Sequence, residues 1–304
     1  MSNDFSVEQS QDIVNYYQAN GYVVIKNVIC EQKIAAFMRE YEKFKAAKSY
    51  YYRSQDTNLP EQVAVNDEGF IEHSILSPTN LVFQKQFRTS IQNIIYAPEI
   101  SQLLTTITNK QKHTVWQTMF FDKSTGTVAH QDHYYLDSDP CGHLVACWFA
   151  LEDIHEDSGT FFVVPGSHKG PVISGNSGFR DHKEYVVKMQ QLFKEQGYQP
   201  QPMPLEKGSV LLWHPFLVHG AFQNVNPSYS RKSFTAHYLP DGYGQLNTKQ
   251  VPARQSSFNP DILVWKLSML EQIQEHLRYV RYGMQVKFRS REVHSEMEMR
   301  GTKY

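Results

Sequence analysis

The chain has 304 residues, 40% of them hydrophobic and 13% aromatic, so it is long enough to bury a substantial core. Its 30 basic and 31 acidic side chains are interspersed and leave a formal net charge of -1, which disfavours nucleic acid as a partner. No apolar run approaches the roughly 20 residues that a membrane helix needs, so we expect no membrane insertion. A small-molecule substrate is the expected partner.

The three cysteines, Cys30, Cys141 and Cys147, lack the spacing of a disulfide framework, and the N-terminal residues do not resemble a signal peptide. We therefore expect a reducing, cytoplasmic location. The sequence also contains no internal repeat and no linker rich in proline or glycine, which predicts a single domain over residues 1–304. It leaves the oligomeric state open.

Residues 1–112 are predicted to form helices, one strand and a long loop. A helix that ends at Gly21 precedes a strand at residues 22–28, because helical spacing gives way there to a β-branched run. Residues 46–86 have weak periodicity and many polar turn formers, which predicts a long loop over the surface. Helical spacing returns after this loop, and Pro98 suits the first turn of a second short helix.

Residues 113–240 change from helical spacing to alternation, which is typical of a β body. Residues 169–208 interrupt the pattern and are predicted to be an insertion that acts as a lid. The predicted strands are short β-branched and aromatic segments separated by Gly, Pro, Asp and Ser clusters, at residues 113–121, 143–151, 160–165, 209–213 and 233–239.

Residues 241–304 are predicted to form a loop and one helix. Asn259 is the expected N-cap and Gly283 the expected end of this helix. An apolar stripe that includes Ile262 and Trp265 has helical spacing, so the helix is expected to pack on the outside of the sheet.

A metal site is predicted where His130 and Asp132 follow a turn. Residues two apart on an extended strand point to the same face, so this imidazole and carboxylate form two corners of the site. His214 and His219 both follow a later buried strand and are candidates for the third ligand. We favour His219, because Pro215 interrupts regular strand pairing directly after His214. Two histidines and one carboxylate leave three positions open, as in non-haem Fe(II) oxygenases, whereas a structural zinc site is closed by four ligands.

A cation is also expected, to hold the far end of a dicarboxylate co-substrate. Arg231 follows His219 by twelve residues and begins an alternating segment on which Ser233, Thr235 and His237 share its face. A guanidinium with a hydroxyl two residues further on is suited to binding a carboxylate. Considered alone, this arginine would more often be solvated, but its position after the second histidine favours a buried role.

Three stretches together resemble the phytanoyl-CoA dioxygenase family: His-Gln-Asp at 130–132, GTFFVVPGSHK at 159–169 and HGAFQNVNPSYSRKSF at 219–234. The N-terminal helix and strand are similar too. The resemblance implies a mainly β fold with flanking α-helices, namely a double-stranded β-helix or cupin-like jelly-roll barrel, with iron at one mouth. It also implies that the two histidines and the aspartate named above bind the metal and that Arg231 binds 2-oxoglutarate.

The resemblance implies an Fe(II)- and 2-oxoglutarate-dependent dioxygenase that uses O2 to hydroxylate an unactivated C–H bond and releases succinate and CO2. Asp132 favours hydroxylation over halogenation, because related halogenating enzymes carry a small residue at that position. Ala221 stands where members often have serine, so Ser233 or another group is expected to supply the hydroxyl. Gln117, on the strand before the metal residues, is a candidate cofactor contact, although a surface position would fit equally well.

The substrate is the least determined part of the prediction. His133, Tyr134 and Tyr135 directly follow the metal triplet and are candidates for lining the substrate mouth. Arg180, in the predicted lid, could face an anionic substrate such as a sugar acid, an amino acid or a carrier-linked acyl group, although solvated charges are the more common case. Two other functional classes stay open: a non-catalytic metal-binding jelly-roll sensor or binding protein, and a zinc hydrolase on the same barrel.

Overall fold

A computed structural model describes residues 4–6, 8–174, 182–246, 252–266 and 268–288. None of the helices in these residues is both long and apolar enough to cross a bilayer. The helices are α1 (Ser10–Asn20), α2 (Glu31–Lys45), α3 (Lys85–Ile95), α4 (Pro98–Thr108), α5 (His182–Gln196) and α6 (Met269–Phe288).

The strands of the described residues form one large sheet, a three-stranded sheet and two small ribbons. They are β1 (Asp4–Phe5), β2 (Tyr22–Ile25), β3 (Tyr51–Arg53), β4 (Pro60–Gln62), β5 (Ile75–Leu76), β6 (His113–Phe121), β7 (Ser138–Asp139), β8 (Val145–Ala150), β9 (Phe161–Val163), β10 (Gln201–Pro202), β11 (Val210–Trp213), β12 (His219–Ala221), β13 (Ser233–Pro240), β14 (Gly244–Gln245), β15 (Ala253–Gln255) and β16 (Ile262–Trp265).

The large sheet has the order β1-β2-β11-β8-β13-β6-β16-β15, with β5 also paired to β6, and the three-stranded sheet has the order β10-β9-β12. The strands that flank β13 run antiparallel to it. The prediction of a mainly β jelly-roll barrel with flanking helices is confirmed. The five predicted segments contain β6, β8, β9, β11 and β13.

Alternation along β13 separates the core from the barrel interior. Phe234 and Ala236 pack in the apolar core that also holds the N-terminal helices, and the Phe234 ring centroid lies 4.9 Å from that of Phe37 on α2. Burying one such phenylalanine contributes about 1.5–3 kcal/mol to folding. Thr235 and His237 point the other way and line the cavity of the barrel. The sequence period of two therefore fixes which side chains can meet a ligand.

The prediction of a surface loop at residues 46–86 is wrong, and residues 1–112 hold five short strands rather than one. Within the segment, β3 and β4 form an antiparallel pair and β5 extends the large sheet beside β6. Tyr52 and Ile75 are fully buried. Strands of two or three residues are too short to give a periodic signal, so only the tertiary contacts define them.

The predicted start of the C-terminal helix is also wrong. Ile262–Trp265 is strand β16, which pairs parallel with β6 and antiparallel with β15. An apolar run of four residues fits a strand or a helix equally well, and here the free edge of β6 supplies the backbone partners that decide between them. Helix α6 begins only at Met269.

Gly283 does not end helix α6, which continues to Phe288. A Cβ atom at this glycine would collide with the ring of Tyr51 on β3. The glycine therefore allows the helix to pack closely against the β3–β4 pair, a contact that outweighs the intrinsic cost of glycine within a helix.

The predicted lid at residues 169–208 contains helix α5 and strand β10. Tyr185, Met189 and Leu192 of the helix pack with Val164 and Val218 beside the barrel. Arg180 lies outside the described residues. Lid motion and a single domain over the whole chain stay predictions.

Candidate active site

Backbone pairing brings the two histidines of the predicted metal site together. The amide of His130 donates to the carbonyl of His219 at 2.9 Å, and the amide of His219 donates back at 3.0 Å. The two ring centroids are 4.2 Å apart. Residues far apart in sequence thus become neighbours through one bridge between β12 and the segment before Asp132.

The expected strand at His130 and Asp132 is only partly present. His130 forms an isolated bridge, Gln131 is extended, and Asp132 begins a 3₁₀ turn that ends at Tyr134. The turn forms because the Asp132 carbonyl accepts from two following amides. One extended residue between histidine and aspartate is still enough to aim both side chains the same way.

Three ligand atoms converge at this point. Asp132 Oδ1 lies 3.6 Å from His130 Nε2 and 3.4 Å from His219 Nε2. The three atoms that the group offers to a metal all lie within 4.8 Å of one another. Since adjacent ligands of an octahedral ion with bonds of about 2.1 Å stand about 3 Å apart, small side-chain movements would let all three bind one ion.

Both imidazoles are held in the tautomer that a metal requires. His130 Nδ1 lies 2.9 Å from the carbonyl oxygen of Val128, and His219 Nδ1 lies 2.9 Å from that of Leu217. A carbonyl can only accept, so each Nδ1 carries the hydrogen and each Nε2 presents its lone pair towards the aspartate.

The second oxygen of Asp132 is fixed by a group that the sequence analysis did not identify as functional. Trp213 Nε1 donates to Asp132 Oδ2 at 2.8 Å. His237 Nε2 lies 3.4 Å from the same oxygen but makes no hydrogen bond among the described residues. Oδ1 is thereby left to face the histidines. This orientation suits a carboxylate that binds metal through one oxygen.

Electrostatics favour the protonation states that metal binding needs. Burial alone would raise the pKa of Asp132, but the positive charge that the His219 and His237 imidazoles carry when protonated outweighs it and holds that pKa well below its usual range. Burial lowers the pKa of His130. An ionised carboxylate beside a neutral imidazole is the combination that coordinates a divalent ion.

The alternative ligand, His214, lies apart from this group. Its Nδ1 accepts from the Phe216 amide at 3.1 Å, and its ring stands 5.4 Å from that of His168. Burial lowers its pKa to about 4. The structure therefore places His219, and not His214, beside the other two residues.

Arg231 is buried, with 2% of its surface exposed. Its Nη1 donates to the Gly159 carbonyl at 3.0 Å, and its guanidinium lies over the rings of Phe121 and Trp148. Its Nε has no hydrogen-bond partner among the described residues, and burial lowers its pKa to about 9. A buried cation without an anionic partner is unfavourable, so the site is suited to receive an anion.

One cavity joins the histidines and aspartate to Arg231. A ferrous ion at the first group and 2-oxoglutarate with one carboxylate on the guanidinium fit this arrangement of donors. The lining residues are Gln55, Met119, Phe121, Thr127, His130, Asp132, Trp148, Phe161, Trp213, His219, Gly220, Ala221, Arg231, Thr235 and His237.

Ser233 is absent from this lining, contrary to the expected cofactor contact. Its hydroxyl donates to the Arg231 carbonyl at 3.1 Å. A serine hydroxyl readily bonds to nearby backbone in this way and is then occupied. Thr235, one step further along the same face, brings a hydroxyl to the cavity instead.

Gln117 is also absent from the cavity lining. It pairs with His237, directly before a register shift between His237 and Tyr238. Such a register shift turns side chains away from the directions that a regular strand pair would give them. The alternation of residue types in the sequence does not reveal it. The predicted cofactor contact of Gln117 is therefore not supported.

The three residues after Asp132 do not line the cavity, contrary to the prediction. His133 turns inward, where its Nδ1 lies 2.7 Å from Asp137 Oδ2, and Tyr134 stacks on Tyr185 at 3.7 Å. Tyr135, 48% exposed, lies 5.5 Å from the His130 ring and stays nearest to a mouth position. The 3₁₀ turn spreads the three side chains in different directions, where a strand would have alternated them.

Cys141 joins His133 and Asp137 in a second group with metal-ligand spacing. The Asp137 carboxylate, however, already accepts from the amides of Ser138 and Gly142. Its hydrogen bonds hold the turn after the metal triplet. This group therefore has a structural explanation.

Comparisons with known proteins agree with the site. A family model for phytanoyl-CoA dioxygenase matches residues 17–233. The peroxisomal phytanoyl-CoA dioxygenase of Rattus norvegicus is 25% identical over 252 residues, covering 78% of this chain and 69% of the relative. A phytanoyl-CoA dioxygenase domain-containing protein 1 homolog of Caenorhabditis elegans is 26% identical over 277 residues, covering 75% and 90%.

Solved structures share the fold at low identity. The epimerase SnoN in complex with Fe3+, alpha ketoglutarate and nogalamycin RO superposes with a TM-score of 0.57 at 17% identity, covering 84% of this chain and 98% of that chain. EctD from S. alaskensis with 2-oxoglutarate and 5-hydroxyectoine gives 0.53 at 15% identity, covering 75% and 74%. Since the family model spans well over half of the sequence, the chain belongs to the phytanoyl-CoA dioxygenase family, as a 2-oxoglutarate-dependent non-haem iron dioxygenase that uses Fe(II), 2-oxoglutarate and O2.

Proposed function

We propose that the protein hydroxylates an unactivated C–H bond of a small metabolite and that His130, Asp132 and His219 hold the ferrous ion. The carrying observation is that Asp132 Oδ1 lies within 3.6 Å of both imidazole Nε2 atoms. A carboxylate at this corner occupies the position that a halide would need. Its presence supports hydroxylation over halogenation.

Arg231 is proposed to bind the distal carboxylate of 2-oxoglutarate, and Thr235 to supply the hydroxyl that Ala221 lacks. Both line the same cavity as the proposed iron ligands. When bound, the iron and 2-oxoglutarate supply an oxidation in which O2 is consumed, 2-oxoglutarate becomes succinate and CO2, and one substrate C–H becomes C–OH.

The chain itself orients these components and keeps water away. The Phe161 ring stacks on His219 with centroids 5.4 Å apart, and Trp148 stacks on Phe161 at 5.2 Å. An aromatic wall of this kind lowers the local dielectric, which strengthens the attraction between Arg231 and a carboxylate. Backbone carbonyls hold the two imidazoles throughout, so no proton has to move at the metal ligands.

For the substrate we keep the prediction of a small metabolite, with an anionic metabolite as one candidate, in a cytoplasmic setting. The name of the rat relative gives phytanoyl-CoA chemistry and a peroxisomal location for that protein. Tyr135 is hydrogen-bonded to His182 at 2.6 Å beside the His130 ring, which makes this pair our candidate for the substrate mouth.

An anaerobic titration tests the proposal. Purified protein with Fe(II) and 2-oxoglutarate should develop the weak visible charge-transfer absorption of the chelate, and His219→Ala should lose it. His155→Ala is the control, because this imidazole is half-exposed and is not part of the cavity lining. If folded wild-type protein shows no such absorption, or if turnover proceeds without O2 as in a zinc hydrolase, the proposal fails.

A further inference from the structure

Gln55 enters the cavity from outside the barrel strands, on the connection between β3 and β4. The preceding residue, Ser54, forms a bridge with Ile75 of β5, and Ile75 pairs with Phe120 of β6. These pairings carry Gln55 to the edge of the large sheet, where it shares the cavity lining with Met119.

The backbone on both sides of Gln55 is held in place. The Ser54 hydroxyl donates to Asp56, and Asp56 Oδ1 also accepts from the amide and the hydroxyl of Ser74, at 3.1 and 2.7 Å. His73 Nδ1 lies 3.0 Å from Asp56 Oδ2. Burial opposes ionisation of Asp56, but hydrogen bonds from His73, Ser54 and Ser74 lower its pKa to about 2. These hydrogen bonds hold the backbone around Gln55 without a ligand, and such preorganisation is what a residue that determines specificity requires.

The carboxamide oxygen of Gln55 is buried and has no hydrogen-bond partner among the described residues. A buried acceptor without a donor is unfavourable, so most such atoms in native proteins have a partner. If the three residues described above bind the metal, 2-oxoglutarate and O2 take the three positions that they leave open, so the metal is not assigned to the Gln55 oxygen. As a dianion, 2-oxoglutarate offers only acceptors.

The unpaired atoms in the cavity can therefore be satisfied only by two different kinds of ligand group, an acceptor and a donor. Arg231 Nε is an unpaired donor, and His237, whose ring nitrogens are also unpaired, offers a second N–H; a carboxylate satisfies both. The Gln55 oxygen is an unpaired acceptor, which needs an O–H or N–H group and which 2-oxoglutarate cannot satisfy. A substrate that displaces water from the cavity can supply that donor.

We infer that Gln55 is a specificity-determining residue whose carboxamide oxygen accepts a hydrogen bond from a hydroxyl or amino group of the substrate. The substrate class is then a polar metabolite with such a donor near the oxidised carbon, and not a plain hydrocarbon chain at that position. This inference rests on the proposed function, because it takes the cavity as the place where substrate meets the metal. A site built to pair with a substrate O–H or N–H discriminates strongly against analogues that lack it.

Binding of matched probe pairs tests the inference. The pairs are lactate with propionate, glycolate with acetate, and L-alanine with propionate, in each of which only the first member carries a hydroxyl or amino donor; they are added to protein that holds Mn(II) and 2-oxoglutarate. Paramagnetic broadening of the probe proton signals reports binding near the metal. We expect the wild type to bind the donor-bearing member of at least one pair about tenfold more tightly, the effect typical of one buried hydrogen bond.

Three variants assign that preference to a single oxygen. Gln55→Met fills similar space without the carboxamide and should abolish the preference, whereas Gln55→Glu keeps an acceptor and should retain it. Gln18→Met makes the same change at an exposed position of α1 and should behave as the wild type. The inference is overturned if the wild type binds neither member or both members of every pair equally, or if Gln55→Met keeps the preference.

A separate readout distinguishes this failure from failure of the proposed function. The wild type and Gln55→Met should give the same absorption on anaerobic titration with Fe(II) and 2-oxoglutarate, because Gln55 is assigned no contact with either. Loss of the band in Gln55→Met alone would place Gln55 at the cofactor and overturn the inference. Absence of the band in the wild type would instead defeat the iron and 2-oxoglutarate site itself.

Discussion

Two sets of polar side chains share one cavity and differ in how their hydrogen bonds are met. In the metal-facing set, His130 and His219 donate to backbone carbonyls and Asp132 Oδ2 accepts from Trp213. In the ligand-facing set, Arg231 Nε and the Gln55 oxygen have no partner among the described residues. The protein has thus completed one set by itself and left the other for ligands to complete.

This difference separates two ways of building a site. The metal-facing set gains its geometry from hydrogen bonds that persist without metal, so its ligands need little rearrangement. The ligand-facing set carries an unfavourable energy until an anion and a donor arrive. Substitutions in the two sets should therefore affect different measurements, and the following variants rank these effects from largest to smallest.

Asp132→Ala should have the largest effect, because it removes a proposed ligand and leaves two adjacent imidazoles without their negative partner. We expect 2-oxoglutarate-dependent succinate formation to fall by more than about 100-fold, beyond the loss typical of groups that only support a ligand. Asp157→Ala, at a half-exposed carboxylate, is the matched control. If the activity of Asp132→Ala stays within tenfold of the wild type, Asp132 is not a ligand that the metal needs.

Arg231→Met should separate the two sets. Without the guanidinium, the dissociation constant for 2-oxoglutarate should rise by about 100-fold, as expected when a buried charge pair loses one partner. Fe(II) binding should change less than threefold. Since none of the described residues gives the arginine an anionic partner, the free energy of unfolding without 2-oxoglutarate should not decrease by more than about 1 kcal/mol.

Isothermal titration and urea unfolding measure these quantities. Equal losses of Fe(II) and 2-oxoglutarate affinity would contradict the separation of the two sets. A large loss of stability in the absence of 2-oxoglutarate would show that the guanidinium also has an anionic partner within the protein.

Trp213→Phe tests the support behind the metal-facing set. The phenylalanine keeps most of the apolar contact but removes the donor to Asp132 Oδ2. Loss of such a supporting hydrogen bond typically lowers metal affinity by about 10- to 100-fold. Trp116→Phe, outside the cavity lining, is the control, and competition with a chromogenic chelator measures Fe(II) affinity. Unchanged affinity in Trp213→Phe would mean that the carboxylate is oriented without the indole.

Tyr185→Phe should have the smallest effect. The Tyr185 hydroxyl of α5 accepts from the amide of Gln131, between two proposed ligands, at 2.9 Å. Leaving that buried amide unpaired should lower the free energy of unfolding by about 1–3 kcal/mol. Tyr279→Phe, whose hydroxyl donates to Glu275 on its own helix, should cost less than about 0.5 kcal/mol. Equal stability of the two variants in urea unfolding would show that α5 does not support the metal-facing set.

The sequence predicts the barrel well because its strands are long enough to alternate. The nine residues of β6 and the eight of β13 show a clear period of two. The spacing of His130 and Asp132 is equally local, since a single extended residue aligns them. Features that depend only on neighbouring residues, such as the position of a long strand or the shared direction of two side chains, can be predicted from the sequence.

The errors arise where tertiary contacts decide. Gln55 lies in a segment of two- and three-residue strands that show no period, so nothing in the sequence brings it to the cavity. Ile262–Trp265 fits a strand or a helix until the edge of β6 is known. The 3₁₀ turn that begins at Asp132 redirects His133 for the same reason, because the His133 amide donates to the carbonyl of Pro215, far along the chain, at 3.1 Å.

A crystal structure grown anaerobically with Fe(II) and 2-oxoglutarate tests the central claim most directly. The account predicts anomalous density for iron at about 2.0–2.2 Å from His130 Nε2, His219 Nε2 and one oxygen of Asp132, with a 2-oxoglutarate carboxylate on Arg231. Iron at any other group, such as His133, Asp137 and Cys141, or a 2-oxoglutarate molecule that leaves the guanidinium unpaired, would contradict it.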